Sequence, residues 1–230
     1  VSGNKNYKSF NYNVPGDISS SAFFIVLTIL SKNSKILIKN VNINPTRIGI
    51  VRILKMMGAK ITFKNIKEYK GEKIANIYVK STSSLKSINC PTEFNSSSID
   101  EFLIIFLVAA KANGTSYFKD LSELNQKESP RLKIGSRILT MIGVKNKLTN
   151  NSIKIYGQPN LRLDKNYEVK NFLKDHRVFM MSTIAALTLG GNWKIHDQNS
   201  INTSFPSFLK IVRKLGGQVN WKIKKILKLP

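Results

Sequence analysis

Three apolar stretches limit what this chain can fold into: residues 22–30, 102–110 and 178–189. Each falls short of the roughly 20 residues that a membrane span needs. Each is apolar nearly all round instead of along one stripe, so each reads as a helix buried on every side. Such helices are not stable alone, and three of them are expected to pack into one common core.

The same order of elements follows each stretch. After the first come a strand at 35–41, then a helix at 48–57 capped by Asn44-Pro45-Thr46-Arg47 and stopped by Gly58, then strands at 59–63 and 74–79. The Lys- and Asn-rich residues 64–72 read as a loop. Ser96-Ser97-Ser98-Ile99-Asp100 opens the second stretch, Gly114 turns the chain into a strand at 115–118, and a helix ending at Gly143 leads to strands at 144–148 and 152–156. Asp175-His176-Arg177 opens the third, and Gly190-Gly191 leads to a strand at 193–196. Thr203-Ser204-Phe205-Pro206 then caps a helix at 207–215, which Gly216 stops before a closing strand at 219–223. Ahead of all this, residues 7–14 alternate like a strand until Pro15-Gly16-Asp17 breaks the chain. The repeated unit is helix–strand–helix–strand–strand, longer than the usual solenoid repeats. No Gly/Ser linker divides the units. The expected class is α/β (α+β), with buried helices and sheets outside.

The formal net charge of +24 fits either nucleic acid or anionic small molecules. The lysines are scattered along the chain amid many Ile and Asn residues, and no zinc-finger spacing or basic-aromatic RNA-binding motif appears. Nucleic-acid binding therefore ranks as a weak second function. A single cysteine, Cys90, excludes an internal disulfide framework and fits a reducing cytoplasm. The start at Val1 has neither an initiator Met nor a signal-peptide core, so the chain is expected to begin inside a longer protein.

One short stretch concentrates charge at a helix start: Asn125-Gln126-Lys127-Glu128-Ser129-Pro130-Arg131. Ser129 suits the N-cap and Pro130 the first helical position. Lys127, Glu128 and Arg131 then crowd a helix N-terminus, where free N–H groups favour an anion. Alone, this is a capped surface helix with solvated charges. The threefold pattern adds further polar starts at corresponding ends: Asp17-Ser19, Arg47, Asp100-Glu101, Asp175-His176-Arg177 and Thr203-Ser204. Together they are expected to form one anion-binding face.

In order along the chain, Val14-Pro15-Gly16-Asp17-Ile18-Ser19-Ser20, Asn44-Pro45-Thr46-Arg47, Ile99-Asp100-Glu101, Lys127-Glu128-Ser129-Pro130-Arg131, Asp175-His176-Arg177 and Thr203-Ser204-Phe205-Pro206 resemble the second half of the 5-enolpyruvylshikimate-3-phosphate (EPSP) synthase family. Each segment alone is weak, but the ordered series is specific and spans nearly the whole chain. The resemblance implies two similar domains of three units each, with the chain crossing between them twice. Residues 1–13 would be the last strand of the other domain, 14–17 the crossover, and 18–230 one domain lacking its N-terminal strand.

The same resemblance implies transfer of the carboxyvinyl group of phosphoenolpyruvate to the 5-hydroxyl of shikimate 3-phosphate, with no metal or organic cofactor. Glu128 would protonate the methylene carbon, and its carboxyl would need a raised pKa. Asp100 would orient and deprotonate the hydroxyl. Arg131 and Arg177 would grip phosphoenolpyruvate, chiefly its carboxylate. Lys127 would contact the shikimate substrate, and Asp175 and His176 would position Arg177 and line the pocket. Taken singly, Asp100 reads equally well as an N-cap, Arg177 as a surface charge and His176 as a polar helix start. His196, Arg47 and Cys90 keep structural readings. The family usually has Asp where Pro130 stands. It sometimes has a phosphate-binding Lys where Thr203 stands, and Thr is common where Ile48 follows Arg47. The rival readings are a UDP-N-acetylglucosamine enolpyruvyl transferase-like enzyme and a catalytically inactive binding domain. The chain alone is expected to lack synthase activity. The full-length parent is expected to be an active, cytoplasmic monomer with no membrane or specific nucleic-acid partner.

Overall fold

The computed structural model describes residues 9–220. In chain order its elements are α1 (Ile18–Leu30), β1 (Lys35–Asn42), α2 (Gly49–Met56), β2 (Lys60–Tyr69), β3 (Glu72–Lys80), α3 (Asn95–Ser98), α4 (Phe102–Lys111), β4 (Thr115–Phe118), α5 (Arg131–Met141), β5 (Asn146–Leu148), β6 (Ile153–Tyr156), β7 (Leu163–Val169), α6 (His176–Leu189), β8 (Gly190–Ile195) and α7 (Phe208–Lys214). Mixed helix and strand places the chain in the expected class. None of the described helices is long and apolar enough to cross a membrane.

The three apolar stretches become α1, α4 and α6, and each packs against the other two. Residues 102–110 of α4 are buried on every side, as a helix without a polar stripe must be. Phe102, Phe106 and Phe118 pack ring against ring at one end, and Phe23, Phe24 and Phe208 at another. Sheets lie around this core. Strand order is β1-β3-β2 in the first and β4-β6-β5 in the second, and both are antiparallel. The two units thus repeat one topology, in which the third strand of each unit lies between the first two.

The unit also contains a part that the sequence pattern does not suggest. The chain ahead of each central helix pairs in parallel with the first strand after it. Gly16 bridges Val41, Lys86 bridges Asn113, Asn89 bridges Tyr117, and β7 pairs along β8. Each unit therefore opens on an extended segment, not on its helix.

Several expectations need correction. Over the described part of residues 7–14 there is no strand. Asn13 N–H instead donates to the Tyr69 hydroxyl at 3.1 Å, and Lys70 Nζ to Asn11 O at 2.6 Å, so side chains hold the segment against the β2–β3 hairpin. Residues 64–72 are not a loop. β2 runs on to Tyr69 and turns through Lys70 and Gly71, both with positive φ (49° and 83°), the geometry of a two-residue hairpin. As an edge strand it is exposed on both faces there, so no alternation marks it. The segments expected to cap α2 and α7 form turns ahead of them, and Ile48 and Ser207 stand at the N-caps without side-chain bonds. The closing strand at 219–223 lies mostly outside the described residues.

Candidate functional site

The starts of α4, α5 and α6 meet at one end of the core. Arg131, the first residue of α5, is the largest fully buried side chain, at 1% exposure. Its guanidinium reaches three carboxylates. Nε donates to Asp175 Oδ2 at 2.8 Å, Nη1 to Asp100 Oδ1 at 3.1 Å, and Nη2 to Glu128 Oε2. A buried cation is tolerable only when paired and hydrogen-bonded in this way. Burial alone would lower the Arg131 pKa, but Asp175, Glu128 and Asp100 outweigh it and hold the pKa above its usual value.

Asp175 is fully buried and serves two elements. It is the N-cap of α6, accepting from Arg177 N–H at 2.9 Å, and it accepts from Ser129 Oγ at 2.8 Å. The sequence reading made Ser129 the N-cap of α5, which is a correction. Pro130 takes the N-cap position with no side-chain bond, and the Ser129 hydroxyl turns to the stronger, charged acceptor instead. Burial pushes the Asp175 carboxyl up, but Arg131, Ser129 and the Arg177 N–H more than reverse this and hold it below the usual range.

Asp100 is the shared acceptor at the open side. Besides Arg131 it faces Arg177 Nη2 at 3.3 Å and Lys127 Nζ at 3.9 Å. Burial raises its pKa, and Arg177, Arg131 and Lys127 together bring it below the usual value. Lys127 also pairs with Glu123 Oε1 at 3.0 Å. Arg177 donates through Nη1 to the Asp100 backbone O at 3.1 Å and keeps 13% of its side chain exposed. His176 is half-buried, and burial together with the Arg177 cation lowers its pKa, so its imidazole is neutral near pH 7. The chain enters α6 through Asn171, Leu173 and Lys174, all in the left-handed region. L-residues adopt that region at a cost of roughly 1–2 kcal/mol each. Arg137 braces this loop by donating to the carbonyls of Lys170 and Asn171.

All seven residues that the sequence singled out, Asp100, Lys127, Glu128, Arg131, Asp175, His176 and Arg177, are thus at these helix starts. The contacts extend to α1. Arg47 Nη2 donates to Ser19 Oγ at 3.1 Å and lies 3.7 Å from Asp17, the N-cap of α1. Thr203 instead turns back on its own segment and donates to Ser200 O. The sequence reading missed Glu101 as a site residue. It is buried, with 4% exposure, and lies 3.7 Å from Arg177 Nη1. Its place beside Asp100 was visible, but its inward turn is not a property of local sequence. His196 and Cys90 lie apart from this cluster. His196 Nε2 pairs with Glu168 at 2.8 Å on the β7–β8 sheet. Cys90 is buried, which pushes its thiol up to about 11.

The cluster forms an open rim of cations and carboxylates, not an enclosed cavity. Two shallow hollows of the surface lie elsewhere, along residues 158–162 and across β7 and β8. A rim of this kind suits an anionic ligand covered from the other side.

The profile of the family described as EPSP synthase (3-phosphoshikimate 1-carboxyvinyltransferase) matches residues 1–212. A 3-phosphoshikimate 1-carboxyvinyltransferase of Ruthia magnifica subsp. Calyptogena magnifica is 36% identical over 222 residues, covering 95% of this chain and 49% of that protein. One from Thermodesulfovibrio yellowstonii is 40% identical over 206 residues, covering 90% of this chain and 47% of that protein. Among solved structures, an EPSP synthase from Acinetobacter baumannii superposes with a TM-score of 0.84 at 34% identity, covering 90% of this chain and 47% of that one. The chain spans about half the length of the curated relatives it matches.

Proposed function

Because the chain belongs to the EPSP synthase family, we propose that it supplies one face of a two-domain cleft in which a carboxyvinyl group passes from phosphoenolpyruvate to shikimate 3-phosphate. The observation that carries this reading is the single buried guanidinium of Arg131, which holds Asp100, Glu128 and Asp175 in fixed relation. Carbon protonation and hydroxyl activation need two carboxyl groups in different roles, and this arrangement supplies them on either side of one cation.

In this reading Arg177 meets the phosphoenolpyruvate carboxylate first, since it stands at the rim. Glu128, whose side chain is half-exposed, leaves Arg131, takes up a proton from solvent and delivers it to the methylene carbon, making C2 electrophilic. That departure frees Arg131 Nη2, which joins Arg177 on the carboxylate. Asp100 takes the proton of the attacking hydroxyl as the new C–O bond forms at C2. Phosphate then leaves the tetrahedral adduct carrying the proton that Asp100 took, and a methyl proton returns to Glu128 as the carbon–carbon double bond re-forms. Lys127 lies next to Asp100 and contacts the shikimate side. Asp175 and the neutral His176 keep the start of α6, and so Arg177, in place. Residues 1–13 belong to the other domain in this reading, 14–17 form the crossover, and 18–230 form this domain. The exposure of Phe10 and of Val14, which is 84% exposed, supports a partner surface there. The parent works as a cytoplasmic monomer.

Joining this chain to the half of the Ruthia magnifica relative that it does not span tests the reading. Phosphate release is expected from the chimera only with both substrates present, with a loss of at least about a hundredfold in Glu128→Gln. The 230-residue chain alone is expected to release none. A folded but inactive chimera would favour a binding domain, and steady phosphate release by the chain alone would refute the two-domain requirement.

A further inference from the structure

Glu101 is a buried carboxylate of the helix-start cluster to which the reaction above gives no task. It is buried at the N-cap of α4, next to Asp100 in sequence, yet it points to the other side of Arg177. Its Oε1 has no hydrogen-bond partner, although Arg177 Nη1 lies only 3.7 Å away. That separation is an ion-pair distance but too long for a hydrogen bond. Nη1 donates instead to the backbone O of Asp100 at 3.1 Å. A buried acceptor left unsatisfied beside a guanidinium costs free energy in the resting state. It becomes useful if the guanidinium has a second position.

Arg177 has a reason to have one. Its other hold is on Asp100 Oδ2, and the Asp100 carboxylate is already shared with Arg131 and Lys127. When a ligand hydroxyl engages Asp100, and an anion draws Arg177 outward, that hold weakens. Glu101 cannot follow the ligand, because it is enclosed, with 4% exposure. We propose that Glu101 is a positioning residue for Arg177: it takes Nη1 when ligand occupies the rim, and so fixes the angle at which the guanidinium meets the anion. The proposal rests on the reading of Arg177 as the anion clamp. The charged and titratable groups facing Glu101 are Arg177 and Asp100 at the rim and Arg47 from the side of α1. Burial pushes its carboxyl up, against the lowering effect of the nearby Ser19 hydroxyl and the pull of Arg177.

Two measurements on the 230-residue chain test this. In the first, phosphoenolpyruvate is titrated into wild type and Glu101→Gln while the melting temperature of each is recorded. Glu101→Gln is expected to weaken binding about tenfold, or about 1.4 kcal/mol, with the melting temperature equal or higher. Wild-type affinity should fall as pH drops through the raised Glu101 pKa, and this dependence should vanish in Glu101→Gln. Unchanged affinity, or a loss that only tracks a lower melting temperature, would overturn the proposal. The second measurement is independent of any ligand. The Arg177 Nε–H resonance should shift and exchange faster with solvent in Glu101→Gln. If wild type binds no phosphoenolpyruvate but Arg177 responds to Glu101→Gln, the clamp reading fails and only the Glu101–Arg177 ion pair stands. If Arg177 does not respond, the positioning itself is refuted.

Discussion

Two carboxylate clusters among the described residues use the same chemistry in opposite settings. At the helix starts, Arg131 and Asp175 are enclosed and share bonds with Asp100, Glu128 and Ser129. On the β7–β8 sheet, Glu168 gathers His196, Lys170 and Lys194 in open solvent. Hydrogen bonds from His196, Lys170 and Lys194 hold the Glu168 carboxyl at about 2. Water can replace each of those partners, so the shift does not translate into stability. Between Arg131 and Asp175, which are 1% and 0% exposed, no water replaces a lost partner. The comparison separates ion pairs that decorate a surface from ion pairs on which the position of three helices depends.

The largest expected effect comes from breaking the enclosed pair. Asp175→Ala or Arg131→Met leaves an uncompensated buried charge and should destabilise the chain by about 3–5 kcal/mol, read from urea denaturation. Changing both residues together to apolar ones should recover much of that loss. A double change as damaging as the two singles summed would mean that the charges themselves are not the cause.

Acid gives the second test. Asp175 and Asp100 have folded pKa values below the ordinary 3.8. Their contribution is fully present above that value and is lost as pH falls below it through the folded values. Glu101 has the opposite sign. Its folded pKa lies above 4.5, so its ionisation removes stability as pH rises from 4.5 through the folded value. Glu101→Gln should therefore raise stability near pH 7, while Asp175→Asn flattens the acid side of the profile. Denaturation midpoints between pH 3 and pH 7 would reveal either sign reversed.

Salt sharpens the contrast further. At 1 M salt the screening length is about 3 Å. The cost of Arg131→Met should persist there, because ions do not enter the enclosed site. The smallest effect belongs to Glu168→Gln, which should leave the denaturation midpoint unchanged at near-physiological salt. A clear loss there would place the β7–β8 cluster in the same class as the helix starts.

The core was legible because α1, α4 and α6 carry no polar stripe, which leaves burial on all sides as the only stable outcome. β7 was not legible. Its sequence Leu-Asp-Lys-Asn-Tyr-Glu-Val is buried only at its ends and near Tyr167, so neither alternation nor a continuous apolar run marks it. The site was legible residue by residue through its ordered motifs, but its wiring was not. Ser129 looked like a cap because capping is what local sequence offers a serine before a helix. The Asp175 carboxylate comes from forty-six residues away and prevails through its charge. Glu101 shows the same limit, since which of two adjacent acids turns inward depends on α1 and α6.

A parallel pair of strands cannot be closed by a hairpin turn, because the chain must cross the sheet and return. Gly16 meets Val41, Lys86 meets Asn113, and β7 meets β8 only across a central helix. Those contacts are distant in sequence and entropically slow to form, whereas the β2–β3 hairpin is local. Each unit is therefore expected to assemble from the inside outward, with its helix docking before the leading segment is zipped to the first strand. The rim of α4, α5 and α6 starts then becomes complete only in the last steps of folding, when the units have met.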